Sequence, residues 1–326
     1  MSHLLGDPVP LFDERFPLPL DRPFTTVQAS RAGIPANTLT RLVRDRLLRR
    51  LFKGVYVPAQ VPDSLELRCQ GLALVVPSGA VVTDRTAGWL HGAETLAPND
   101  HLDVPPLSVF SRTGSRLRSD LLRSGERSFL PEDLVVLNGL LVTTPLRTAL
   151  DLGRLLHRDQ AIGALDSMLR TQQFSRDELL AGVERFRGFR GVVQLRALAP
   201  LADPRSESPG ESTLRLRWLD ITDLPRPTPQ VPVLDPVRHS TYRLDLALEE
   251  IRFAAEYDGE RFHSSAQAKA RDQARRRWLS EDQGWTVRVF TRRDVYGPRQ
   301  DVGSVLRDGI REARGELGRY RAPWRA

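Results

Sequence analysis

Residues 241–259 read TYRLDLALEEIRFAAEYDG, and no other stretch narrows the folds open to this chain so far. Two runs alternate apolar and polar residues with the period of an extended strand. In the first run Leu244, Leu246 and Leu248 are expected on one face, with Arg243, Asp245 and Ala247 on the other. In the second, Phe253, Ala255 and Tyr257 oppose Ala254, Glu256 and Asp258. If 249–252 form the connection, Leu248 pairs with Phe253, Asp245 lies across from Glu256, and Arg243 lies across from Asp258. Like charges directly opposite on a sheet are destabilising. A proton, or a hard cation held by carboxylate oxygens, relieves that repulsion.

The flanking residues extend the pattern. Upstream, ESTLRLRWLD places Glu211 and Arg215 one helical turn apart, so a helix can bring a further carboxylate to the sheet. Downstream come His263, then a helical stretch with Lys269, Arg271, Asp272, Arg275 and Arg276, then a strand over 285–290. Plainer roles exist for some of these residues. Asp258 before Gly259 suits a turn, Glu211 suits a helix N-terminus, and His263 suits a helix cap.

The order helix, three strands, helix, strand, with D-x(10)-E-x-D after a helical Glu, resembles the PD-(D/E)XK restriction-endonuclease-like superfamily over about residues 205–300. More narrowly, the ExDG followed by His resembles an uncharacterised bacterial branch related to very-short-patch repair endonucleases. The resemblance implies Mg²⁺ or Mn²⁺ on Asp245 and Glu256, supported by Glu211, and metal-assisted hydrolysis of phosphodiesters. It departs from the pattern at the third signature position, usually Lys, which here is Asp258. On this reading Asp258 takes a second metal or His263 handles the proton, and Lys269, Arg275 and Arg276 bind flanking phosphates. The alternative is a non-enzymatic regulator or antitoxin-like protein that keeps an inactive nuclease fold.

The N-terminal region carries a second constellation. Residues 25–32 read as a short helix ended by Gly33, and 37–49 as a helix with Leu39, Leu42, Val43 and Leu47 on one face. RRLFKGVYVP then reads as a hairpin turning at Lys53-Gly54. Six basic residues and one acidic residue lie between positions 41 and 53. A winged helix-turn-helix on DNA would place Thr38, Arg41, Asp45 and their neighbours, Arg44 among them, toward the major groove, with Arg49, Arg50 and Lys53 near phosphates. This segment, GVYVP and the later TPLRTALDLGR resemble the AbiEi-type antitoxin regulators over about residues 20–160. That resemblance implies DNA binding, often autoregulatory, and a toxin-like protein partner.

Composition bounds the rest. The net charge of +7 favours polyanionic partners. Of 48 basic residues only Lys53 and Lys269 are lysines, so placement says more than number. The single Cys69 excludes a disulfide scaffold and fits a reducing cytoplasm. No apolar run reaches the roughly 18–20 residues of a membrane helix, and the start, MSHLLGDPVPLFDERF, lacks a secretory pattern, so a cytoplasmic location without membrane contact is expected. Scattered histidines disfavour zinc, and neither a GxxxxGK[ST] loop nor a GxSxG elbow occurs. The expectation is an α+β multidomain protein. It has an arm (1–22), a winged helix-turn-helix (23–60), a mixed then helical middle region (61–201), a linker (202–210), an endonuclease-like α/β core (211–315) and a basic tail (316–326).

Overall fold

The computed structural model describes residues 12, 15–95, 107–111, 122–259, 266–297 and 301–321. The chain forms two compact units, residues 1–152 and 153–326, of mixed α/β composition.

The first unit opens with β1 (Phe24–Thr25), α1 (Thr26–Arg31), α2 (Ala36–Arg44), β2 (Leu48–Phe52) and β3 (Val55–Pro58). Their strands form a sheet in the order β1-β3-β2. Thr25 starts α1 with a reciprocal cap: its hydroxyl accepts the Gln28 N–H, and Gln28 Oε1 accepts the Thr25 N–H. Helix α2 ends five residues before the expected position. Arg46 takes a left-handed φ of 59°, and the N–H groups of Leu47 and Arg46 bond the carbonyls of Leu42 and Val43. This two-bond closure satisfies the last helical carbonyls and turns the chain into β2. Phe24, Ala29, Ile34, Leu39 and Leu48 form the small core beneath.

The unit continues through α3 (Leu65–Ala73), β4 (Val81–Val82), α4 (Asp84–Leu90), β5 (Leu107–Ser111), β6 (Leu122–Glu126), β7 (Leu134–Leu137), β8 (Leu140–Thr143) and α5 (Pro145–Leu155), which runs past the unit boundary. The second sheet has the order β6-β5-β4-β8-β7, with β4 parallel to β8. Beside it runs a buried ladder of charges. Arg127 binds Asp84 at 2.6 Å and Asp151 at 3.1 Å, and Arg147 binds Asp151 at 2.9 Å and also Asp133. Each guanidinium also faces an aromatic ring, Phe110 or Phe129. Alternating signs keep each buried charge compensated.

The second unit holds α6 (Arg158–Arg170), α7 (Arg176–Val183), α8 (Val192–Leu198) and α9 (Pro209–Leu219). The sheet strands β9 (Thr228–Asp235), β10 (Ser240–Leu248) and β11 (Phe253–Asp258) follow, then α10 (Ala266–Arg277), β12 (Thr286–Thr291), α11 (Arg292–Tyr296) and α12 (Val302–Arg321). The sheet order is β12-β11-β10-β9, with only β11 and β12 parallel. Strand β9 at the edge carries Pro229 and Pro232, which have no N–H to offer.

Two cores flank this sheet. Leu214 and Trp218 of α9 pack with Leu246, Phe253, Ala255 and Phe290. On the other side Val231, Val233, Leu244 and Ala247 pack with Trp278 and Leu279. The three alternate leucines of β10 therefore do not share one face, contrary to the simple strand pattern: Leu246 and Leu244 enter different cores. Asp245 lies between them, at the register position facing Gln230, whose backbone is left-handed at φ 55°.

The stretch 202–210, turn-rich enough to read as a linker, is bolted to the helices around it. Arg215 reaches Asp166 at 2.6 Å, the Ser206 hydroxyl at 3.1 Å and the Leu201 carbonyl. Asp166 also accepts the Asp203 N–H at 2.8 Å. Ser208 caps α9. Gly210 leaves room for the Tyr257 ring, which a Cβ there would meet at 2.0 Å.

Candidate functional site

One group of candidate residues lies on each of the two units. On the first unit, Arg41 and Arg44 stand on the exposed face of α2, while Leu39 is buried on the opposite face and Thr38 is half-buried. Arg44 pairs with Asp45 at 3.3 Å where both side chains are well exposed, a contact worth little in water. Arg50 and Lys53 are exposed on the β2–β3 hairpin. Arg49 is not equivalent to them, because its Nη2 donates to the Val61 carbonyl at 2.6 Å and so fastens the hairpin to the following chain.

On the second unit the expected register is seen: Leu248 faces Phe253, and the ladder runs through Leu246 and Ala255. One step further the strands stop pairing in the ordinary way. Asp245 Oδ2 accepts the Tyr257 N–H at 2.7 Å, so a side chain of β10 takes a backbone donor of β11. From α9, Glu211 is nine-tenths buried, and its Oε2 accepts the Gln230 side-chain amide at 2.8 Å and the Glu207 N–H at 2.9 Å. Glu211, Asp245 and Glu256 thus converge near the β10–β11 junction.

Asp245 is pushed up to about 7, first by burial, then by the Glu211 carboxylate and also by that of Glu256, with the Tyr257 N–H opposing. Glu256 is raised as well, chiefly by burial, while Arg275 and Arg276 hold it down. A carboxyl group that binds its proton more tightly folded than unfolded contributes stability at low pH and loses it as pH rises toward 7. Asp245→Asn removes that loss. The variant is expected to unfold at higher urea than wild type at pH 8 and at an equal midpoint at pH 4; equal midpoints at both pH values would contradict the crowding.

The remaining candidates divide. Glu256 is bonded to Arg275, and Asp258, half-exposed, pairs with Arg276 at 3.1 Å. The two arginines expected to meet phosphate are therefore engaged with the carboxylates expected to meet metal. His263 lies outside the described residues, as does the side chain of Lys269. The oxygen donors suit a hard cation in type. Among the described residues, however, no three His, Cys, Asp or Glu side chains are arranged to hold one. Of the expected metal set Asp245, Glu256 and Asp258, two members are paired with arginine in this arrangement.

Sequence reasoning missed Gln230, Glu207 and the Arg215–Asp166 pair. A left-handed conformation of a residue other than glycine costs about 1–2 kcal/mol, and nothing in PTPQVPVLDP announces one at Gln230. The prolines on either side were the only signal that this strand is irregular.

Residues 21–59 match the family described as transcriptional regulator, AbiEi antitoxin, and residues 79–201 match the AbiEi antitoxin C-terminal domain. The chain is 34% identical over 257 residues to the uncharacterised protein Rv2248 of Mycobacterium tuberculosis strain H37Rv, covering 75% of this chain and 86% of the relative. The same figures hold for the uncharacterised protein MT2308 of the CDC 1551 strain. Among the described residues no helix is long and apolar enough to cross a membrane.

Proposed function

Since this chain belongs to one family with the two mycobacterial proteins and carries AbiEi antitoxin domains, we propose that it is a DNA-binding transcriptional regulator of the antitoxin type. The observation that carries this reading is the arrangement of residues 24–58. Strand, two helices and hairpin, with the sheet order β1-β3-β2, suits a winged helix-turn-helix and supports this reading. Helix α2 is then the recognition helix, with Arg41 and Arg44 on its open face, and the β2–β3 hairpin is the wing with Arg50 and Lys53. Phosphate contacts set position and affinity, while side chains of α2 such as Thr38 read base edges. A toxin-like partner belongs to the same reading, by analogy with the matched antitoxin families.

The test is fluorescence anisotropy of the full chain on the duplex upstream of its own coding region and on a scrambled duplex, across salt concentrations. The expected result is preference for the upstream duplex and a log–log salt slope of about −3 to −5, the release expected for some four or five neutralised phosphates. Binding that is absent at low salt, or that has no salt dependence, refutes the proposal.

A second reading keeps the endonuclease. Its support is the order α9, β9–β11, α10, β12, which suits the restriction-endonuclease-like core, together with the crowding of Asp245 by Glu211 and Glu256. Against it stands the engagement of Glu256 and Asp258 by arginine. Nicking of supercoiled DNA by wild type but not by Asp245→Ala, with Mg²⁺ or Mn²⁺ present, is the result that would promote it.

A further inference from the structure

The carboxylates at the end of the β10–β11 ladder are already supplied with positive charge, and one helix supplies it. Arg275, in the last turn of α10, gives Nη2 to Glu256 and, at 3.0 Å, to the carbonyl of Arg243 on β10. Its guanidinium lies 5.5 Å from the centre of the Tyr242 ring. Arg276 follows, 3.1 Å from Asp258 and 4.0 Å from Glu256. Nη2 thus serves a carboxylate on β11 and a strand carbonyl on β10 beside an aromatic face, while the buried Nε has no hydrogen-bond partner among the described residues. Arg275 is therefore held on β10 and β11 through one end of its guanidinium.

The seat is also held from behind. Directly after the arginines the helix widens into a π turn over Trp278–Asp282, and this turn buries Trp278 and Leu279 side by side. Trp278 stands 5.4 Å from Tyr242, the ring that Arg275 faces. The packing that anchors α10 to the sheet thus also fixes the arginine beside Glu256.

We infer that Arg275, assisted by Arg276, is the resident counter-cation of this carboxylate cluster, which is closed to a divalent ion in the folded chain and opens only when the guanidinium is withdrawn. The inference does not require the chain to cut DNA. It supplies positive charge at a strand end where Glu211 and Glu256 crowd Asp245.

The test is Mn²⁺ titration of the full chain, followed by loss of the free-ion EPR signal, in wild type, Asp245→Asn, Arg275→Gln, Arg275→Lys and the Arg275→Gln/Asp245→Asn pair. Wild type, Asp245→Asn and Arg275→Lys are expected to bind equally weakly. Arg275→Gln is expected to bind at least about tenfold more tightly, within the range by which a metal's surroundings change its affinity, and adding Asp245→Asn is expected to remove the gain. A folded Arg275→Gln protein with unchanged affinity overturns the inference. So does a wild type whose Mn²⁺ affinity falls about tenfold or more in Asp245→Asn, since its site is already open. If Arg275→Gln fails to fold, the comparison of wild type with Asp245→Asn decides alone.

Discussion

Arg215→Ala is expected to destabilise the second unit by about 3–5 kcal/mol, the usual cost of stranding one member of a buried ion pair. Asp166 is fully buried and the Arg215 side chain is 4% exposed. The same guanidinium holds the Leu201 carbonyl and Ser206, so its loss also frees the segment that leads into α9. Burial holds the Asp166 carboxyl above the usual carboxylate range, and Arg215 is the main charge opposing that shift. Without Arg215 the group enters the folded state protonated. Its folded pKa then lies further above its unfolded one, so its contribution is favourable at low pH and is lost as pH rises. The deficit of Arg215→Ala should therefore be smaller at pH 5 than at pH 8 in urea titrations. A midpoint at pH 8 that corresponds to less than about 0.5 kcal/mol of change, the range of an ordinary surface substitution, would show that the pair does not anchor the unit.

The second large effect is expected at the N-terminal module. Replacing Arg41, Arg50 and Lys53 together by alanine should weaken duplex binding on the order of 100-fold near 0.15 M salt. The salt slope should shrink by about 2.7, since each neutralised phosphate contributes about 0.9. The loss should be nearly uniform across duplex sequences, because these contacts position the protein and carry no sequence information. Arg49→Ala should behave differently. Its guanidinium serves the Val61 carbonyl, so the variant should lower the thermal midpoint while keeping the wild-type slope. An unchanged slope in the triple variant would mean that DNA, if bound, lies on another surface.

Much of the second unit is legible in its residues because the signal there is local. Alternation over 241–258 yields two strands and their register, and a four-residue connection leaves only one pairing that aligns Leu248 with Phe253. The same alternation misplaces Leu244. Strand periodicity presumes an unbroken pleat, and the left-handed Gln230 across from Asp245 breaks it. The end of α2 departs from the sequence pattern for a related reason: Leu47 continues the helical apolar pattern, but it is the residue beyond a left-handed Arg46.

At the candidate site, sequence spacing puts Glu211, Asp245 and Glu256 near one another, and in the structure the first and last crowd Asp245. It says nothing about which cation meets them. Arg275 lies 19 residues from Glu256, and the Asp166–Arg215 pair spans 49. Contacts of that range are set by how α10 and α9 lie on their neighbours, which no local pattern encodes.

The prolines of β9 have a consequence beyond the fold of a single molecule. An open sheet border is a template on which an extended peptide, or the same strand of another copy, can zip itself in place. Pro229 and Pro232 bring no N–H to β9, so this border has fewer donors to offer than a strand of eight ordinary residues. That disfavours polymerisation strand by strand along this border when the second unit is concentrated.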